Sequence, residues 1–147
     1  MTGADESHPS TSGAQLAAEA QIRTALARKL NLVFEAQPRA LDGLRLDAYS
    51  PGPPHVLVEI FARIGRSKPG QVKKLSRDMA KLLLAEHRLA GEPCRKVIAV
   101  MDRAAVAHFE RGWDGEFART FDIETVVVAV DQSVHGAVAA AQRRQYR

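Results

Sequence analysis

One acid stands out by its surroundings: Glu59 interrupts the otherwise apolar run Val56-Leu57-Val58-Glu59-Ile60-Phe61-Ala62. An ionised carboxylate inside such a run is costly unless something compensates it. An arginine, a hydrogen-bonding network around a neutral acid, or a divalent cation could each do so. Asp47, near the end of the preceding strand-like segment, is the natural companion, because a hairpin brings two such carboxylates side by side. Converging acids repel unless a cation lies between them. Mg²⁺ or Mn²⁺ binds through one or two carboxylates plus water and phosphate oxygens, and activates water for phosphodiester cleavage. The bland alternatives are a solvated strand-end aspartate for Asp47 and a structural ion pair for Glu59.

The cationic side of such a site lies in the next segment. From Gln71 to Leu89 the residues Val72, Leu75, Met79, Leu82 and Leu83 recur at helical spacing, with Gln71, Lys74, Asp78 and Lys81 along one flank and Lys73 and Arg77 farther round. Lys74 or Lys81 could orient water or stabilise charge on a phosphate. Arg63, Arg66, Lys68, Lys73 and Arg77 could contact a nucleic-acid backbone. The same charges also make ordinary i,i+3 and i,i+4 pairs on a solvated helix face.

These residues need a scaffold, and the patterning supplies one. Residues 1–13 are rich in small and polar residues and read as a disordered tail; residues 14–147 read as one α/β domain. A helix is expected over Ala14–Leu30, with Glu19 on or beside its buried face. Alternation from Leu41 to Tyr49 predicts a strand with Leu44, Leu46 and Ala48 on one side. The turn Ser50-Pro51-Gly52-Pro53-Pro54 and a second strand from His55 to about Ile64 complete a hairpin. After the basic helix, Lys96–Met101 reads as a buried strand and Asp102 as the cap of a helix reaching about Arg111. A short helix over Glu116–Phe121, a strand over Thr125–Val130 and a weakly patterned segment, Ser133–Gln145, follow. Trp113 reads either as core or as an exposed stacking platform, core being favoured.

Composition narrows the function classes. No apolar run reaches the roughly 20 residues of a membrane span, and a lone cysteine, Cys94, permits neither an internal disulfide nor a Cys-x-x-Cys metal site, which points to the cytoplasm. The net charge of +4, from 21 Lys and Arg against 17 Asp and Glu, allows a basic face for a polyanion. His8, His55, His87, His108 and His135 lack metal-ligand spacing, and no phosphate-cradling glycine motif is present.

The order of a helix with Glu19, strands with Asp47 and Glu59, and a helix opening on Gln71 and carrying Lys74 resembles the PD-(D/E)XK restriction-endonuclease-like superfamily. The stretch from Glu59 to Leu82 also resembles a group of uncharacterised bacterial proteins placed near it. The likeness spans roughly Gln15 to Val130, and its diagnostic part is Asp47 to Leu82. It implies a restriction-endonuclease-like α/β core, with a central mixed sheet of four to five strands flanked by helices. The implied activity is a Mg²⁺- or Mn²⁺-dependent nuclease acting on DNA or RNA, with Asp47, Glu59 and Glu19 as metal ligands and Lys74, Lys81 and Gln71 completing the site. Phe61 stands where the superfamily has its lysine, two residues after Glu59, and Leu46 rather than proline precedes Asp47. Some members place the lysine on the next helix. A catalytically inactive fold that binds nucleic acid or a protein partner, or completes a homodimer or larger assembly, is the alternative.

Overall fold

The computed structural model describes residues 9–145. The order is α1 (Pro9–Leu30), a 3₁₀ turn (Arg39–Leu41), β1 (Ala48–Ser50), β2 (His55–Phe61), α2 (Pro69–Arg88) and β3 (Cys94–Val100). A second 3₁₀ segment (Arg103–Glu110), α3 (Trp113–Thr120), β4 (Ile123–Val127) and α4 (Gln132–Gln145) complete it. The four strands form one mixed sheet in the order β1-β2-β3-β4, with β1 antiparallel to β2 and the remaining pairs parallel. The expected α/β architecture, a mixed sheet flanked by helices, is therefore present. No helix among the described residues is long and apolar enough to cross a membrane.

Alternation along β2 divides the core into two layers. Leu57 and Phe61 pack with Leu75, Met79, Leu82 and Ala85 of α2, while Val56, Val58 and Ile60 pack with Ala18, Ile22 and Leu26 of α1 and Val138 of α4. Glu59 shares the parity of Leu57 and Phe61, so the pleat aims its carboxylate beneath α2. The α2 helix forms because its apolar residues recur on one stripe and Pro69 pre-sets the first turn, while the Gln71 Oε1 accepts the Lys68 N–H at 3.0 Å. It ends where Ala90 (φ 48°) and Gly91 (φ 84°) turn left-handed ahead of Pro93.

Several boundaries differ from the sequence reading. Residues 9–13, read as tail, begin α1; residues 1–8 lie outside the described residues. The strand expected from Leu41 is only three residues long, because a 3₁₀ turn and Gly43 (φ 80°) occupy its start. Leu46 and Ala48, expected on one face, enter opposite layers. The alternation breaks at Asp47, where side chains replace part of the ladder. The strand expected to reach Ile64 ends at Phe61, and that expected over Thr125–Val130 lies at Ile123–Val127. Trp113, favoured as core, is 71% exposed at the start of α3.

The loops after β2 and β3 are tied together at the carboxyl end of the parallel strands. Asp102 caps the second 3₁₀ segment through the Ala104 N–H (3.0 Å) and accepts the Gly65 N–H (2.8 Å), and the Ser67 hydroxyl donates to the Ala105 carbonyl at 2.6 Å. From the other face, the Gln142 amide of α4 brackets Ile64, accepting from its N–H at 2.9 Å and donating to its carbonyl at 2.8 Å. The weakly patterned C-terminal segment is thus a helix that fixes the loop following Glu59.

Candidate active site

The β1–β2 register places Asp47 one step beyond the Ala48–Val58 pair, opposite Glu59. The Asp47 N–H donates to the Val58 carbonyl at 3.1 Å and to Glu59 Oε2 at 3.3 Å, while Asp47 Oδ2 accepts the Ile60 N–H at 2.7 Å. Two carboxylates therefore meet where the strand pairing ends. Glu59 is 1% exposed, and the ammonium of Lys81, reaching down from α2, pairs with its Oε1. Burial raises the pKa of Glu59 to about 8; Asp47, by hydrogen bond and charge, and the charge of Asp78 push the same way, and Lys81 opposes them without outweighing them. At neutral pH Glu59 largely holds a proton beside Asp47.

About two turns before Lys81 on α2, Lys74 Nζ lies 2.8 Å from Asp78 Oδ2 and 5.8 Å from the centre of the Phe61 ring. Burial lowers the pKa of Lys74, but Asp78, Asp47 and Glu59 outweigh it and hold the ammonium above its ordinary value. Phe61 is in the core, and its ring face lies under the helix-borne ammonium of Lys74. Asp47, Glu59, Lys74 and Lys81 thus form one charged group, drawn from the β1 end, β2 and α2.

Lys74 and Phe61 also form part of the wall of a cleft of about 430 Å³, shared with Glu19, Arg63, Gln71 and Gln145. Asp47 and Glu59 do not line it. Glu19 accepts a hydrogen bond from Gln15 at 3.3 Å, and no group of three potential metal-ligating side chains is found among the described residues. Asp47 and Glu59 offer two carboxylates of the kind hard ions prefer, and the described residues provide no closed cage of protein ligands. Gln71 borders the cleft while its Oε1 caps α2. Arg66, Lys68, Lys73 and Arg77 are exposed and Arg63 is half-buried. Arg63 and Arg66 sit on the same loop but line different hollows. A hollow of about 780 Å³ is formed by the loop Gln37–Arg45.

Asp78 belongs to this group although the sequence reading assigned it no role. Its spacing of four from Lys74 and three from Lys81 carried that signal, but the buried sheet below it was needed to separate a site from a solvated face. A second pair, His108 Nε2 at 3.0 Å from the Asp114 carboxylate, also escaped the sequence, since neither residue has a motif. Comparison of the chain with family models, with curated proteins and with solved structures finds no match.

Proposed function

We propose that this protein is a divalent-metal-dependent phosphodiesterase acting on DNA or RNA. The observation that carries this reading is the convergence of Asp47 and Glu59 with two lysines of α2 at the carboxyl end of β2, next to a cleft. Two acids in contact, one of them driven to hold a proton, gain from a cation between them. Asp47 and Glu59 would hold Mg²⁺ or Mn²⁺, which when bound supplies an activated water.

The chain's own residues supply positioning and charge. Lys74, with a side chain 57% exposed and held over Phe61, can donate to a phosphate oxygen from the cleft wall. Lys81 stays paired with Glu59 and supplies the positive charge beside it when the acid releases its proton. Arg63 contributes a guanidinium at the cleft, while Lys68, Lys73 and Arg77 present cations that could follow a backbone.

A specific observation favours a second reading, a non-catalytic nucleic-acid-binding module: Glu59 is buried, paired with Lys81, and does not line the cleft. The two readings part on one experiment. Labelled single-stranded and duplex DNA and RNA are incubated with wild type, Glu59→Gln and Lys74→Met in Mg²⁺, Mn²⁺ and EDTA. Cleavage that needs the ion and is lost in both folded variants supports the phosphodiesterase. Binding that is indifferent to EDTA and falls steeply with salt, without cleavage of any substrate, supports the module.

A further inference from the structure

The loops that follow β2 and β3 enclose a hollow of about 460 Å³ at the carboxyl end of the parallel strands, the end at which open α/β sheets bind ligands. Arg66 and Ser67 line it from the first loop, and His108, Glu110 and Arg111 from the second. None of them belongs to the charged group around Glu59. The Gly65 N–H donates to Asp102 at 2.8 Å and the Ser67 hydroxyl to the Ala105 carbonyl at 2.6 Å, so the two walls are tied to each other. Ala104 and Ala107 also face the hollow and leave it wide.

The chemistry of the hollow follows from what each side chain already does. Arg66 and Arg111 are exposed, and their guanidiniums have no partner among the described residues; a single carboxylate, that of Glu110, lines the hollow with them. His108 is oriented from behind. Its Nε2 is buried 3.0 Å from Oδ2 of Asp114, which is itself 6% exposed and accepts the Gly115 N–H on its other oxygen at 3.0 Å. The Phe109 ring, edge-on with its centre 5.0 Å away, fixes the imidazole further. A carboxylate at Nε2 keeps a proton on that nitrogen and leaves Nδ1 as the functional one. Nδ1 has no hydrogen-bond partner among the described residues and is not a buried atom, so it is the nitrogen that solvent in the hollow reaches.

Three donor groups therefore share one hollow: two guanidinium forks and, on a doubly protonated ring, the Nδ1–H of His108. Guanidinium forks match carboxylate and phosphate oxygens. A carboxylate or a phosphodiester has two free oxygens to offer, whereas a phosphate monoester offers three, one for each donor group. The dianion and the buried Asp114 both favour the charged ring between them. We infer that the Arg66–Arg111–His108 hollow is a binding site for a phosphate monoester, either a free small molecule or the phosphorylated end of a strand. It is separate from the Glu59 group and does not rest on the phosphodiesterase reading.

The full chain is titrated in EDTA, at about pH 7 and constant ionic strength, so that no divalent ion at Asp47 and Glu59 can anchor the ligand. The probes are inorganic phosphate, thymidine 5′-monophosphate, dimethyl phosphate and acetate. Ring nitrogens are followed by long-range proton–nitrogen correlation, with the His108 signals assigned by their loss in His108→Gln. Inorganic phosphate and the monophosphate should saturate at about 1 mM or below and shift His108 Nδ1, and the other two probes should bind at least about tenfold more weakly. Arg66→Ala and Arg111→Ala, at exposed side chains whose loss leaves the fold intact, should each weaken the monophosphate about tenfold or more. Glu110→Gln should tighten it about threefold. Oligothymidylates with and without a 5′-phosphate then separate the two sources: a phosphorylated end that outbinds the monophosphate assigns the strand, and the reverse order assigns the small molecule. No saturation by about 20 mM monophosphate, equal binding of dimethyl phosphate, or binding that survives loss of either arginine overturns the inference. Cleavage assays on Glu59→Gln bear on the phosphodiesterase reading alone.

Discussion

Replacing Glu59 by glutamine should change how the fold responds to pH, by an amount the structure sets. In wild type, burial and Asp47 raise the Glu59 pKa from about 4.5 to about 8. The folded protein therefore binds a proton that the unfolded chain has already released. Stability from this group is fully present below the unfolded value and is lost as pH rises through the folded one. Each tenfold change in proton affinity is worth about 1.4 kcal/mol, so the loss between pH near 4.5 and pH near 8 is bounded at about 5 kcal/mol. Glutamine keeps the shape and one amide oxygen but cannot titrate. Urea unfolding of wild type and Glu59→Gln at several pH values across that window, followed by far-ultraviolet circular dichroism because Trp113 is too exposed to report on the core, isolates the group by difference. The variant should gain on wild type as pH rises. A difference that is flat with pH, or that slopes the other way, would show that Lys81 outweighs burial and Asp47, and would remove the argument for a cation between the two acids.

Lys81→Met should destabilise the fold by about 3 kcal/mol at pH above 8, where Glu59 is left charged and buried, and by much less near pH 5, where it carries a proton; urea midpoints at the two pH values test this. Lys74→Met should cost less than about 1 kcal/mol in unfolding experiments, since its pair with Asp78 is more than half exposed on the lysine side, yet lower cleavage by about a hundredfold if the phosphodiesterase reading holds. Glu86→Ala should cost about 3 kcal/mol, because Lys96, 5% exposed, loses both carboxylate oxygens that now lie 2.8 Å away. Two glycines give opposite results in thermal melts: Gly115→Ala sets a Cβ 1.7 Å from the Phe109 carbonyl and should unfold the loop before α3, whereas Gly136→Ala meets nothing within 4 Å inside α4 and should stabilise by about 0.5–1 kcal/mol.

The residue pattern by itself determined the layered α/β plan and the face to which each strong element turns. Helical spacing over Val72, Leu75, Met79 and Leu82 and the apolar runs at β2 and β3 encode which surfaces must be buried, and Glu59 is conspicuous because its neighbours leave it no water. Short and capped elements were less legible. The Ala-rich α4 has too few large apolar residues to show a stripe, and the alternation through Leu46 and Ala48 was misleading because Asp47 and Glu59 replace ladder hydrogen bonds with side-chain ones. Which lysines meet the acids is a property of how α2 lies across the sheet, and spacing along a helix cannot state it. The same holds for Trp113: an aromatic residue among glycines is compatible with core or solvent, and only the packing of α3 against the second 3₁₀ segment left the indole outside. Local chemistry is written in neighbouring residues. Contacts between Glu59 and Lys81, or the enclosure of one cleft by Arg66 and Arg111, join residues 22 to 45 positions apart, and those distances are closed only by burying both faces of the sheet at once.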